Sequence, residues 1–161
     1  MFIVLKEAKG KMLLRTHLAL AVFAIILFFN HVQNKFVFII LVLIATIIPD
    51  IDMSNSSWGR HLIFRPMQFF INHRGIIHSF SFAVFVSVII SVFWPVASLG
   101  FFIGYSVHLI ADSFTKDGIQ PFWPLKVKSS GFIRSGGRLE EGIFIFLLFL
   151  DVVLGFLLLV L

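Results

Sequence analysis

The chain contains no cysteine, and only 13% of its 161 residues are charged. The missing thiols exclude disulfides and thiolate metal ligands alike. The shortage of charge excludes a soluble domain of this length, which needs far more polar surface to cover one core. What is present is apolar: 59% of residues are hydrophobic and 22 are phenylalanine, with a mean hydropathy of +1.03. That balance belongs to an integral membrane protein. The length suits a single domain over 1–161, and neither an internal repeat nor a low-complexity tract interrupts it.

Five segments approach the roughly 20 apolar residues that cross a hydrocarbon layer as a helix. They cover about 14–30, 36–50, 76–95, 97–114 and 142–161, which predicts an all-α, multi-pass bundle of five transmembrane helices. The first resembles a signal peptide, since Lys6, Lys9, Lys11 and Arg15 precede it. The following FFNHVQNK has no small-residue cleavage pattern, so a permanent helix is expected. The second runs through FVFIILVLIATII into PDID, where Pro49 is expected to end the helix and turn two carboxylates toward a common point.

Basic residues set the expected orientation. With a cytoplasmic N-terminus, twelve of the thirteen Lys and Arg fall inside and only Lys35 outside. The C-terminus is then outside. Two long cytoplasmic loops remain. Residues 53–75 mix apolar and basic side chains around WGRHLIFRPMQFFI, as in a short interfacial helix broken at Pro66. Residues 115–141 carry Trp123, a side chain suited to the headgroup region.

The ionisable groups collect at one end of this topology. His17 falls near the inner end of the first segment, and Asp50 and Asp52 near that of the second. His73, Arg74 and His78 stand at the start of the third, where FINHRGIIHSF meets the membrane. His108 and Asp112 close the fourth, and Glu140 and Glu141 open the fifth. Such groups are costly in hydrocarbon and are usually paired or functional. His108 and Asp112, at i and i+4, share one helix face. His73 and His78, five apart, do not, so His78 is placed on the helix and His73 on the loop before it. Singly, each group has a bland reading: His31 and His61 as interfacial punctuation, the Asp50/Asp52 pair as a loop cap, Arg74 as a snorkelling cation. Jointly they favour an N/O ligand set for a divalent ion, Zn²⁺ or alternatively Mn²⁺ or Fe. Asp151 is the exception, lying midway along the last segment, where Ser87 or Ser91 of the third are possible neighbours.

The combination of THLALAVF, PDID, NHRGIIHS and GYSVHLIADSFTKDGIQPFWP, covering about residues 16–125, resembles the LexA-regulated, membrane-bound metal-dependent hydrolase family. A weaker match continues into GGRLEEGIF, and Ile77 replaces the threonine usual in that family. The resemblance implies a metal-dependent hydrolase, of a kind often compared with zinc phospholipase C-type enzymes. The matching positions are His17, Asp50, Asp52, His73, His78, His108 and Asp112, with Glu140 less closely matched. One or two ions are expected, with His17, Asp50, Asp52, His78, His108 and Asp112 as ligands. His73, Arg74 and Glu140 are the expected catalytic groups. The expected substrate is a lipid or lipid-linked phosphoester at the cytoplasmic leaflet, cleaved by metal-activated water. A metal or proton transporter and a metal-stabilised scaffold without turnover are the other readings. Nucleic acid is not an expected partner, because topology and anionic headgroups account for the basic residues.

Overall fold

The computed structural model describes residues 12–51 and 76–160. Five helices occupy them: α1 (Leu14–Phe28), α2 (Lys35–Ile51), α3 (Phe80–Phe93), α4 (Pro95–Ser113) and α5 (Arg138–Val160). A short 3₁₀ turn, Phe29–His31, extends α1. No β-strand appears among the described residues, and two isolated bridges fold the stretch between α4 and α5. The fold is a helical membrane bundle. Three helices are long and apolar enough to cross a bilayer: Leu14–His31, Pro95–Ser113 and Arg138–Val160. α2, with 17 residues, and α3, with 14, are shorter than the usual span.

Three boundaries differ from the sequence expectation. α3 begins at Phe80 rather than 76, because the Ser79 hydroxyl accepts from Phe82 N at 3.2 Å and caps the helix there. This leaves His78 in the preceding turn, not on the helix. The break before α4 falls at Trp94, one residue before Pro95 takes the first helical position, where its missing N–H is harmless. Pro49 does not end α2, which continues to Ile51. A proline forfeits one intrahelical bond, and membrane helices tolerate that loss where neighbouring helices shield the freed carbonyl.

The centre of the bundle is the parallel pair α2 and α4. Phe38, Val42, Thr46 and Asp50 step along α2 at four-residue intervals. They oppose Gly100, Gly104, His108 and Asp112 on α4, spaced the same way. A Cβ on Gly104 would lie 2.2 Å from the Val42 carbonyl oxygen, so only glycine permits this approach. In lipid, where apolar surface alone drives little association, such close backbone packing is a main source of helix–helix attraction. Thr46 reinforces it by donating from its hydroxyl to the Gly104 carbonyl at 3.1 Å. α3 folds back on α4 as a tight hairpin, with the Phe82 ring 5.9 Å from that of Tyr105. α5 packs along α1, with Gly155 beside Ile26, and otherwise presents an apolar surface outward.

Candidate metal centre

Four elements converge at one end of the bundle. His17 comes from the first turn of α1, Asp50 from the last turn of α2, His78 from the turn before α3, and His108 and Asp112 from the end of α4. His17, His78 and His108 are fully buried, Asp112 is 3% exposed and Asp50 is 7% exposed. His17 Nε2 lies 3.3 Å from Asp112 Oδ1. On the other carboxylate oxygen, Asp112 Oδ2, His108 Nε2 stands at 3.6 Å and His78 Nε2 at 3.9 Å. Asp50 Oδ1 is 3.9 Å from His108 Nε2. The rings of His17 and His108 are 4.3 Å apart.

Two overlapping ligand groups result. His17, His108 and Asp112 form one, and Asp50, His78 and His108 form the other; in each, one ligand atom per residue lies within 4.8 Å of the others. Both groups can hold a metal ion.

The backbone aims the imidazoles. His108 Nδ1 is 2.8 Å from the Thr46 carbonyl oxygen, and His17 Nδ1 is 3.3 Å from that of Leu13. A carbonyl only accepts, so each Nδ1 carries a proton, and in the neutral imidazole each Nε2 then turns a lone pair toward the cluster. Metal-ligating histidines are commonly oriented in this way by a carbonyl on the far nitrogen. The turn bearing His78 is pinned separately. The Tyr105 hydroxyl donates to the Ile77 carbonyl at 2.7 Å, and Phe80 N donates to Pro121 O at 2.8 Å.

Three buried atoms of the cluster, His17 Nε2, His108 Nε2 and Asp112 Oδ1, have no hydrogen-bond partner among the described residues. An unmet polar atom in an apolar interior costs on the order of 1–3 kcal/mol. Two imidazole nitrogens and an Asp112 oxygen, converging beside the Asp50 carboxylate, fit a cation better than a set of hydrogen bonds. The donor set, nitrogen and oxygen only, could hold a divalent metal ion.

Glu140, expected among the catalytic groups, is buried near this end and both of its carboxylate oxygens accept hydrogen bonds. Its Oε1 accepts from Leu13 N at 2.5 Å and from the Thr16 hydroxyl at 3.1 Å. Its Oε2 accepts from Gly136 N at 2.6 Å. Leu13 caps α1 without a side-chain bond of its own, so a carboxylate from α5 satisfies backbone that the helix start leaves open. Both oxygens are thereby engaged, and Glu140 lies outside the two ligand groups. The neighbouring Arg15–Glu141 ion pair is exposed and closes the same joint from outside.

Asp52, His73 and Arg74 lie outside the described residues, as does the interfacial helix expected over 53–75. The serines of α3 bond back to their own helix at Ala83 O and Val88 O, and neither is hydrogen-bonded to Asp151 Oδ1. Asp151 is on α5, with Oδ1 buried and unmatched among the described residues. Sequence reasoning passed over the positioning groups: the carbonyls of Leu13 and Thr46, the Tyr105 hydroxyl and the glycines facing α2. The GFFIG of Gly100–Gly104, in register with His108 and Asp112, was the available signal.

Comparisons with known proteins agree with this architecture. The chain is 32% identical over 93 residues to the inner membrane protein YdjM of Escherichia coli (strain K12), covering 52% of this chain and 47% of that protein. The Shigella flexneri protein of the same name matches equally. The uncharacterized protein YvsG of Bacillus subtilis (strain 168) is 28% identical over 104 residues, covering 61% of this chain and 65% of its own. The matched stretch spans about half the length of the YdjM proteins. No solved structure matches. The family model described as YdjM inner membrane protein matches residues 12–160, and the chain belongs to that family.

Proposed function

We propose that this protein is a membrane-embedded, metal-dependent hydrolase acting on a phosphoester of a lipid or lipid-linked substrate. The observation that carries the reading is the pair of ligand groups sharing His108, with the Nδ1 protons of His17 and His108 fixed by backbone carbonyls. His17, Asp50, His78, His108 and Asp112 would hold one or two divalent ions. Such an ion supplies Lewis-acid polarisation and an acidified water. The chain's own groups do the rest. The buried imidazoles and carboxylates exclude bulk water and hold the reacting end of the substrate near the bundle's end. Arg74 binds phosphate oxygens with its planar fork, His73 protonates the leaving group, and Asp52 completes the ligand shell. Glu140 keeps α1 docked so that His17 faces inward. With the N-terminus cytoplasmic, as the basic residues predict, the substrate enters from the inner leaflet.

A metal or proton carrier needs binding groups near the bilayer midplane, reachable from both sides. Here the ligands occupy the first turn of α1 and the last turns of α2 and α4, which favours hydrolysis at one face. A scaffold without turnover is separated by experiment. Detergent-purified protein is subjected to elemental analysis, then assayed on a panel of phospholipids with and without a chelator. Near-stoichiometric divalent metal and chelator-sensitive release of a phosphorylated or dephosphorylated headgroup product are expected. Metal without turnover of any phosphoester leaves the scaffold, and protein free of metal after purification and reloading ends the proposal.

A further inference from the structure

The connection between α4 and α5 is a folded tongue. Ile119 and Ser129 exchange both backbone hydrogen bonds at 2.9 Å, closing a hairpin. Gly118 before it has a φ of +61°, and a Cβ there would lie 2.0 Å from Ser129 O. The base of the hairpin is tied to the start of α3 through Pro121, next to the turn that carries His78. Its tip is apolar and uncovered. Phe122 is 55% exposed, and Leu125 and Val127 are each 61% exposed. Trp123 and Phe132 are also exposed. Lys126 and Lys128 alternate with Leu125 and Val127 and are exposed too. This is the two-residue period of a segment with one greasy and one charged side.

Something must cover those side chains, and charge decides what. Between α4 and α5 stand Lys116, Lys126, Lys128 and Arg134 against a single acid, Asp117. Two other stretches of the chain join the bundle at this end. Residues 1–11 carry Lys6, Lys9 and Lys11 against Glu7, and residues 52–75 carry Arg60, Arg65 and Arg74 against Asp52. All three are basic in sequence, so neither stretch supplies an acidic surplus for Lys126 and Lys128. An anionic bilayer does: its headgroups attract lysines, and its acyl boundary accepts the aromatic and aliphatic tip.

We infer that the 119–129 hairpin is a membrane-reading tongue, with Phe122, Trp123, Leu125 and Val127 set at the acyl–headgroup boundary and Lys126 and Lys128 on anionic lipid phosphates. It binds acidic phospholipid next to the metal-ligand cluster independently of whether that cluster turns over a substrate. The test uses the full chain with Trp58→Phe and Trp94→Phe, leaving Trp123 as the only indole. The protein is reconstituted into phosphatidylcholine vesicles containing increasing phosphatidylglycerol, with bromines high or low on the acyl chains. Emission from Trp123 should be blue-shifted and quenched most by bromines near the glycerol, more so as phosphatidylglycerol rises. Replacing Lys126 and Lys128 by Gln should raise the phosphatidylglycerol fraction needed for half the effect, on the order of fivefold per lysine. Helical circular dichroism of each variant establishes that the bundle is intact. Red emission open to acrylamide in every vesicle overturns the inference, since the tongue is then in water. Blue emission blind to brominated lipid also overturns it, since protein then covers the tip. Quenching that ignores phosphatidylglycerol overturns the lysine contacts.

Discussion

α4 and α5 are both long enough to cross a bilayer, yet they are opposites. α5 is the more hydropathic and is almost wholly uncovered by protein, whereas half of α4 is buried. A soluble protein would bury the greasier helix. In lipid the apolar surface has nothing to flee, and the interior goes to residues that gain by meeting one another: glycines that let backbones touch, and polar groups that need partners. α4 carries Gly100, Gly104, His108 and Asp112 inward for that reason. α5 contributes to the site only from its first turn, through Glu140.

That contrast can be broken most severely at the ligands. Asp112→Ala or His108→Ala should lower divalent-metal affinity by at least about a hundredfold, since even an outer-shell partner is worth tenfold or more. Metal content after dialysis measures it. Gly104→Ala comes next. A methyl 2.2 Å from the Val42 carbonyl must push α2 from α4, costing ~1–3 kcal/mol in the manner of an overpacked core. The change should appear as a lower thermal midpoint, and metal should weaken with it because His108 Nδ1 leaves the Thr46 carbonyl. If Gly104→Ala were neutral, the close approach of the two helices would be wrong.

Glu140→Gln should have an intermediate effect. It turns one acceptor into a donor facing buried N–H groups, an uncompensated cost of ~1–3 kcal/mol. Metal affinity should fall about tenfold by the route through Leu13 and His17. Glu141→Gln, altering an exposed pair, should do almost nothing. Should Glu140→Gln abolish turnover with metal affinity intact, Glu140 would be a chemical participant and not a clamp. Smallest of all, Phe149→Leu and Val152→Leu on the outer face of α5 should shift stability by no more than about 0.5 kcal/mol, and Asp151→Asn should leave metal content unchanged. A strong loss of metal in Asp151→Asn would show that α5 serves the interior after all.

Much of this was legible in the residues. His17, Asp50, His78, His108 and Asp112 stand out because ionisable side chains in an apolar sequence are expensive and must find company. The helices were legible from their length, apart from their ends. Pro49 reads as a stop, but its effect depends on neighbours that the local sequence does not show. Ser79 ends up as the cap of α3 without an acidic residue three positions on, since that place is Phe82, so no capping box announced it. Glu140 looked like an acid near a cluster. Only the three-dimensional meeting of α5 with the bare start of α1 reveals its oxygens to be taken. The hairpin at 119–129 rests on backbone pairing set by one positive-φ glycine, a signal too local to distinguish a folded tongue from an ordinary loop.

The single-residue elbow at Trp94 has a consequence for the surrounding lipid. With no slack between them, α3 and α4 must enter the bilayer as one unit, although α3, at 14 residues, is only about 21 Å long. The hydrocarbon it meets is roughly 30 Å thick. A helix of that length crosses such a layer only where the lipid beside it thins, flanking polar groups reach outward or other helices cover its ends.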